Sequence, residues 1–76
     1  MKNLLIEIAQ HIVDYPEEVK VHEIDTHQSL ILELSVAKQD LGMIIGKKGG
    51  NIGAIRTIMM AAAGKTNKRI IIEVMD

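Results

Sequence analysis

The chain has 76 residues, 47% of them apolar, with Tyr15 as its single aromatic, no cysteine and a formal net charge of −1. One domain of this size buries too little surface to enclose a deep catalytic pocket, and the missing thiols exclude disulfides and thiolate metal sites. The core must come from Ile, Leu, Val, Met and Ala, and no apolar run has the length that spans a bilayer.

The opening MKNLLIEIAQHIV has Glu7 inside its apolar run and no small-residue cleavage site after it, so it reads as a helix, not a secretory signal, and the expected location is cytoplasmic. Leu4, Leu5, Ile8, Ile12 and Val13 recur at three- and four-residue spacing, which predicts a helix from about Asn3 to Asp14, with Asn3 as its cap and Pro16 as its stop. VKVHEI alternates Val19 and Val21 against Lys20 and His22, then loses phase at Glu23, which predicts a strand with a bulge near its end. DTHQ is turn chemistry. LILELSV sets Leu30, Leu32, Leu34 and Val36 on one face and Ile31, Glu33 and Ser35 on the other, the clearest strand in the chain.

KQDLGMII follows as one or two helical turns, with Gln39 and Asp40 near the start, where negative charge suits the helix dipole. After the loop GKKGG a longer helix is predicted from Asn51 to Ala63 and ends at Gly64. Its inward stripe is Ile52, Ile55, Met59 and Ala62, which leaves Ile58, Met60 and Ala61 uncovered. KTNK turns the chain, and RIIIEVM closes it as a strand with Ile70, Ile72 and Val74 on one face. The order is helix, strand, strand, helix, helix, strand. A short turn makes the first two strands an antiparallel hairpin, and the two-helix crossover returns the last strand parallel to its neighbour. The expected fold is α+β, one domain over residues 1–76, with a three-stranded mixed sheet, three helices on one face and Lys20, Glu33 and Glu73 on the polar outer face.

Charge is unevenly distributed. From Leu41 to Ile72 there are six basic residues (Lys47, Lys48, Arg56, Lys65, Lys68, Arg69) and no acid, whereas the rest holds three basic and ten acidic residues, so the segments carry +6 and −7. The positive one contains IIGKKGGNIGAI, with its four glycines. A solvated basic surface is the plain alternative, but 32 residues without an acid point to an anion, most plausibly a phosphate backbone. Gly46 and Gly49 allow a tight passage between helices and a close backbone approach, Lys47 and Lys48 aim ammonium groups outward, and the first amides of the next helix add unpaired donors.

IIGKKGGNIGAI is similar to the KH-domain signature, with Ile44, Ile45, Gly46, Gly49, Ile52 and Ile55 in the framework positions and Lys47 and Lys48 as the two variable residues. The element order resembles the type II form of that fold, over essentially the whole chain. With DYPEEV at Asp14 to Val19 and AIRT at Ala54 to Thr57, the chain looks like the small stand-alone bacterial KH proteins. The resemblance implies that Gly46 to Gly49 clamp the backbone of about four unpaired nucleotides of single-stranded RNA. It implies that Gly42, Ile45, Ile52 and Ile55 line an apolar groove for the bases, opposite a wall of strand residues around Leu32 and the loop Lys65 to Lys68. Asn51 and Arg56 are further candidate contacts. RNA-chaperone or regulatory activity, a homodimer, and a heterodimer with a larger multi-domain KH protein linked to cell elongation and division are also implied by resemblance. Two positions depart from the pattern. Gly50 stands where relatives commonly carry a basic residue, and Gly53 costs its helix about 1 kcal/mol of propensity relative to Ala.

Other chemistries fit less well. A phosphate-binding P-loop needs four residues between its glycines and a Ser or Thr after Lys, whereas three separate Gly42 from Gly46 and Lys48 occupies the last position. His22 and His27 flank the hairpin turn with Glu23 and Asp25 nearby, at spacing unlike the common metal sites. Glu17, Glu18 and Glu23 lie in surface-like contexts with no pocket for acid and base work. No enzyme activity, metal, cofactor, membrane or small-molecule substrate is expected. The serious rival is a protein-interaction module built on the uncovered residues of the long helix.

Overall fold

Apolar spacing decides how each element meets the core. The computed structural model describes residues 1–64 and 67–76. Helix α1 spans Lys2–Ile12 and buries Leu5 and Ala9, one turn apart on its inward face. Strand β1 (Lys20–Asp25) pairs antiparallel with β2 (Ser29–Ser35), and β2 pairs in parallel with β3 (Arg69–Met75), in the order β1-β2-β3. The crossover from β2 to β3 holds α2 (Leu41–Ile45) and α3 (Gly50–Ala63). This is the expected α+β order, with three helices and a mixed three-stranded sheet.

Register aligns Val21, Leu34 and Val74, then Leu32 with Ile72 and Leu30 with Ile70, across the helix-facing side of the sheet. Together with Leu5, Ala9, Ile44, Ile52, Ile55 and Met59 these rows form one core. Each fully buried Leu or Ile contributes roughly 1.5–3 kcal/mol.

Several local expectations change. α1 starts at Lys2 with Met1 as its cap residue and no side-chain bond, so Asn3 lies inside the helix and caps nothing. The helix stops at Ile12, where Val13 turns extended, and Pro16 instead opens a short 3-10 turn, Pro16–Glu18, at the position where a missing N–H is harmless. β1 has no bulge: its register runs unbroken from Lys20 opposite Ser35 to Asp25 opposite Leu30. Glu23 keeps the helix-facing parity but is exposed, because the helices cover Val21 and not the far end of this edge strand. The outer face carries Lys20, Glu33 and Glu73 as expected, and also a half-buried row of Ile24, Ile31 and Ile71 that matches across all three strands. On α3 the inward stripe continues from Met59 to half-buried Ala63, four residues on, while Ala62 is exposed.

Asp40 differs most. It ends a 3-10 turn, Lys38–Asp40, that leads into α2, and it is fully buried. Its carboxyl oxygens accept the backbone N–H of Asp14 at 3.3 Å and of Tyr15 at 3.0 Å. The end of α1 leaves those donors without helical partners, and Asp40 supplies their acceptors. Asp40 stands at the N-terminal end of α2 as expected, and its side chain also joins the chain after α1 to that helix.

Candidate nucleic-acid interface

The loop between α2 and α3 is shaped by backbone angles that most residues avoid. Gly46 has φ 77° and ψ 171°, in a region essentially confined to glycine. Lys47–Gly49 then form a 3-10 turn in which Lys48 (φ 55°, ψ 29°) is left-handed, and Gly49 follows at φ 74° and ψ 15°. The Gly49 N–H donates to the Gly46 carbonyl at 3.1 Å and closes the turn. A Cβ on Gly46 would stand 2.7 Å from the backbone nitrogen of Asn51 and 2.8 Å from its Cβ and Cγ, so this glycine is required twice, by angle and by space. Gly49 is required by angle alone, because nothing lies within 4 Å of where its Cβ would be. The Asn51 side-chain amide donates to the Met43 carbonyl at 2.7 Å. The side chains of Lys47 and Lys48 are left exposed.

Farther along α3, Arg56 and Met60 face Ile70, Ile71 and Ile72 of β3 across a groove of about 250 Å³. β3 is an edge strand, so one side of its backbone has no strand partner. The Arg56 guanidinium donates to the Ile72 carbonyl on that strand at 3.3 Å. Lys47, Lys48, Ile45, Arg56 and Met60 are all exposed.

Residues expected at the site divide into three groups. Gly42, Ile45, Lys47, Lys48, Asn51 and Arg56 are exposed, and Gly46 and Gly49 are half-buried. Ile52 and Ile55 are 7% and 2% exposed, so they anchor α3 on the sheet and present no groove surface. Leu32 is 0% exposed at the centre of the sheet and cannot form a groove wall. The groove beside Arg56 and Met60 is lined instead by the edge strand β3, at Ile70 to Ile72. Lys68 is half-buried and ion-paired with Asp25, and Lys65 lies outside the described residues.

Met60 and the β3 edge were missed as groove residues. The signal for β3 lay in the topology, since a parallel crossover beyond a hairpin leaves the last strand at the sheet edge. On the opposite face His22 Nδ1 lies 2.9 Å from the Glu33 carboxylate, its register partner across the hairpin. Among the described residues no helix is long and apolar enough to cross a membrane.

Comparisons with known proteins converge on one family. Residues 2–74 match the family profile described as KhpA/KhpB, KH domain. The chain is 52% identical to the RNA-binding protein KhpA of Clostridium acetobutylicum, over 99% of this chain and 100% of that protein. It is 49% identical to the RNA-binding protein KhpA of Caldanaerobacter subterraneus subsp. tengcongensis, with the same coverage. Identity to the RNA-binding protein KhpA of Chlamydia pneumoniae is 46%, over 100% of this chain and 97% of that protein. No solved structure matches the chain at a significant level.

Proposed function

The chain belongs to the KhpA/KhpB KH-domain family, and from that membership we propose that it binds single-stranded RNA in the cytoplasm, without catalysis, through its GKKG loop. The loop takes about four unpaired nucleotides. Gly46 sets the turn, Gly49 with its open Cβ position admits the sugar-phosphate chain against bare backbone, and Lys47 and Lys48 neutralise its phosphates. Bases lie over Gly42 and Ile45 and continue into the groove between Arg56, Met60 and the β3 edge. The observation that carries this reading is the exposed lysine pair on a glycine-shaped turn between two helices. Weak single sites suit an RNA chaperone, and a homodimer would join two of them and raise avidity without new contacts.

The test is binding of a short labelled single-stranded RNA at several salt concentrations, for the native protein and for Lys47→Asp/Lys48→Asp, with equal folding and elution verified first. Binding should weaken with salt, by a logarithmic slope of roughly 0.7 per phosphate contacted, and should vanish in the variant. Equal binding by both proteins, or by neither, removes the loop from the mechanism.

A second reading draws on a separate observation: on α3, Ile58 and Met60 are 48% and 55% exposed. A helix this apolar on its outer side suits a partner surface. In that reading the domain works chiefly as a homodimer, or as a heterodimer with a larger multi-domain KH protein linked to cell elongation and division. Loss of function in Lys47→Asp/Lys48→Asp with an intact dimer separates the two.

A further inference from the structure

We propose that Asn51 is the positioning residue of the GKKG clamp, setting the shape of the loop before RNA arrives and touching no nucleotide itself. This inference rests on the RNA-binding reading above and adds the element that makes the loop competent.

Geometry carries the argument. α2 is only five residues long, and its carbonyls near the C-terminus need partners outside the helix. Because the chain leaves at Gly46 with ψ 171°, it cannot present the next amides to them. The Met43 carbonyl is taken instead by the Asn51 side chain at 2.7 Å, from the first turn of α3. That bond reaches across the whole GKKG segment and ties the end of α2 to the start of α3. The same Asn51 packs against Gly46 so closely that no Cβ fits between them. Gly46 in turn accepts the bond from Gly49 that closes the turn. One side chain thus fixes both ends of a segment whose interior holds a left-handed lysine.

A loop that must hold unfavourable angles needs such an outside restraint, or it relaxes into conformers that scatter the two ammonium groups. Pre-organisation appears as affinity because the ordering cost is met before binding. With one N–H of the Asn51 amide held by Met43 and its Cβ and Cγ packed on Gly46, its effect on RNA passes through Gly46 to Gly49.

Two variants test this. Asn51→Leu keeps the approximate size and removes the donor, and Asn51→Asp keeps the shape but can donate to Met43 only when its carboxyl is protonated, below about pH 4. Circular dichroism at each pH establishes that the domain remains folded. The first readout uses RNA-free protein: hydrogen exchange of the Gly49 amide, normalised to the intrinsic rate at each pH. Exchange should be about tenfold faster in Asn51→Leu at every pH, and faster in Asn51→Asp at neutral pH with recovery in acid. The second readout is RNA binding at neutral pH. Asn51→Leu should bind about tenfold more weakly, with the salt slope and base preference of the native protein, because the same phosphates and bases are met by a less ordered loop.

Unchanged Gly49 exchange in both variants overturns the proposal. So does a loosened loop that binds RNA as tightly as the native one, or an altered base preference, which would make Asn51 a contact. If the native protein binds no RNA, the functional reading fails and the clamp role fails with it, while the exchange measurement still decides whether Asn51 orders the loop.

Discussion

Two short connections in this chain redirect it by opposite means. The hairpin turn between β1 and β2 is self-sufficient: Thr26 N–H donates to the Ser29 carbonyl at 2.8 Å, the Thr26 hydroxyl donates to the same carbonyl at 3.0 Å, and Ser29 N–H donates to that hydroxyl at 2.8 Å. It contains no glycine, and its backbone bonds outward at the Gln28 carbonyl, which accepts from the Arg69 N–H of β3 at 2.9 Å. The GKKG loop is closed by backbone bonds from Gly49 to Gly46 and from Gly50 to Lys47, and depends on glycine angles, a left-handed Lys48 and a restraint from Asn51 outside it. The first turn folds for its own sake. In the second, local satisfaction is given up and the backbone and two cations remain available to something else.

The largest expected effect comes from removing the feature that the hairpin turn never needs. Gly46→Ala would force a side chain into a glycine-only conformation and against the Asn51 backbone at 2.7 Å. The expected loss is about 2–4 kcal/mol in denaturant unfolding, together with RNA affinity. A loss under about 0.5 kcal/mol would mean that the loop adapts easily and is no more demanding than the hairpin turn.

The hairpin supplies the reverse case. Thr26→Val keeps the shape and deletes the hydroxyl at the centre of the turn's bonding, and should destabilise the fold by about 1 kcal/mol. RNA binding should stay at the native level, because β1 and the turn carry no part of the proposed site. A change in affinity would show that the two connections are coupled through the sheet.

The contrast also explains what the sequence made legible. Period-two alternation in LILELSV and RIIIEVM, and glycine punctuation around the lysines, are local signals, and they specified the element order, the mixed sheet and the loop. What stayed hidden depends on partners distant in sequence. Asp40 reads as a dipole-compensating residue until its donors, 25 and 26 residues earlier, are brought beside it. Lys68 reads as part of a basic groove wall until Asp25, 43 residues away, arrives at its ammonium group. The resemblance places the groove wall around Leu32, on the strand that the sheet order puts in the middle. Ile52 and Ile55 fit the signature equally well as groove or core, and only packing of α3 on the sheet distinguishes the two.

The smallest effect is the sharpest test, because stability and function should move in opposite directions. Lys48 is the one non-glycine residue with positive φ among the described residues. A side chain in that conformation costs roughly 1–2 kcal/mol, of which glycine's greater freedom in the unfolded chain takes back about 0.5–1 kcal/mol. Lys48→Gly should therefore stabilise the domain by about 0.5–1 kcal/mol, read as a higher denaturant midpoint at an unchanged slope. It should also bind RNA more weakly, with a salt slope reduced by about 0.7 for one lost phosphate contact. A hairpin turn has no reason to retain a strained lysine where glycine is more stable; a phosphate clamp does. If Lys48→Gly is more stable and binds RNA equally well, with the same salt slope, the strain at Lys48 serves no binding purpose and Lys47 carries the loop's electrostatics alone.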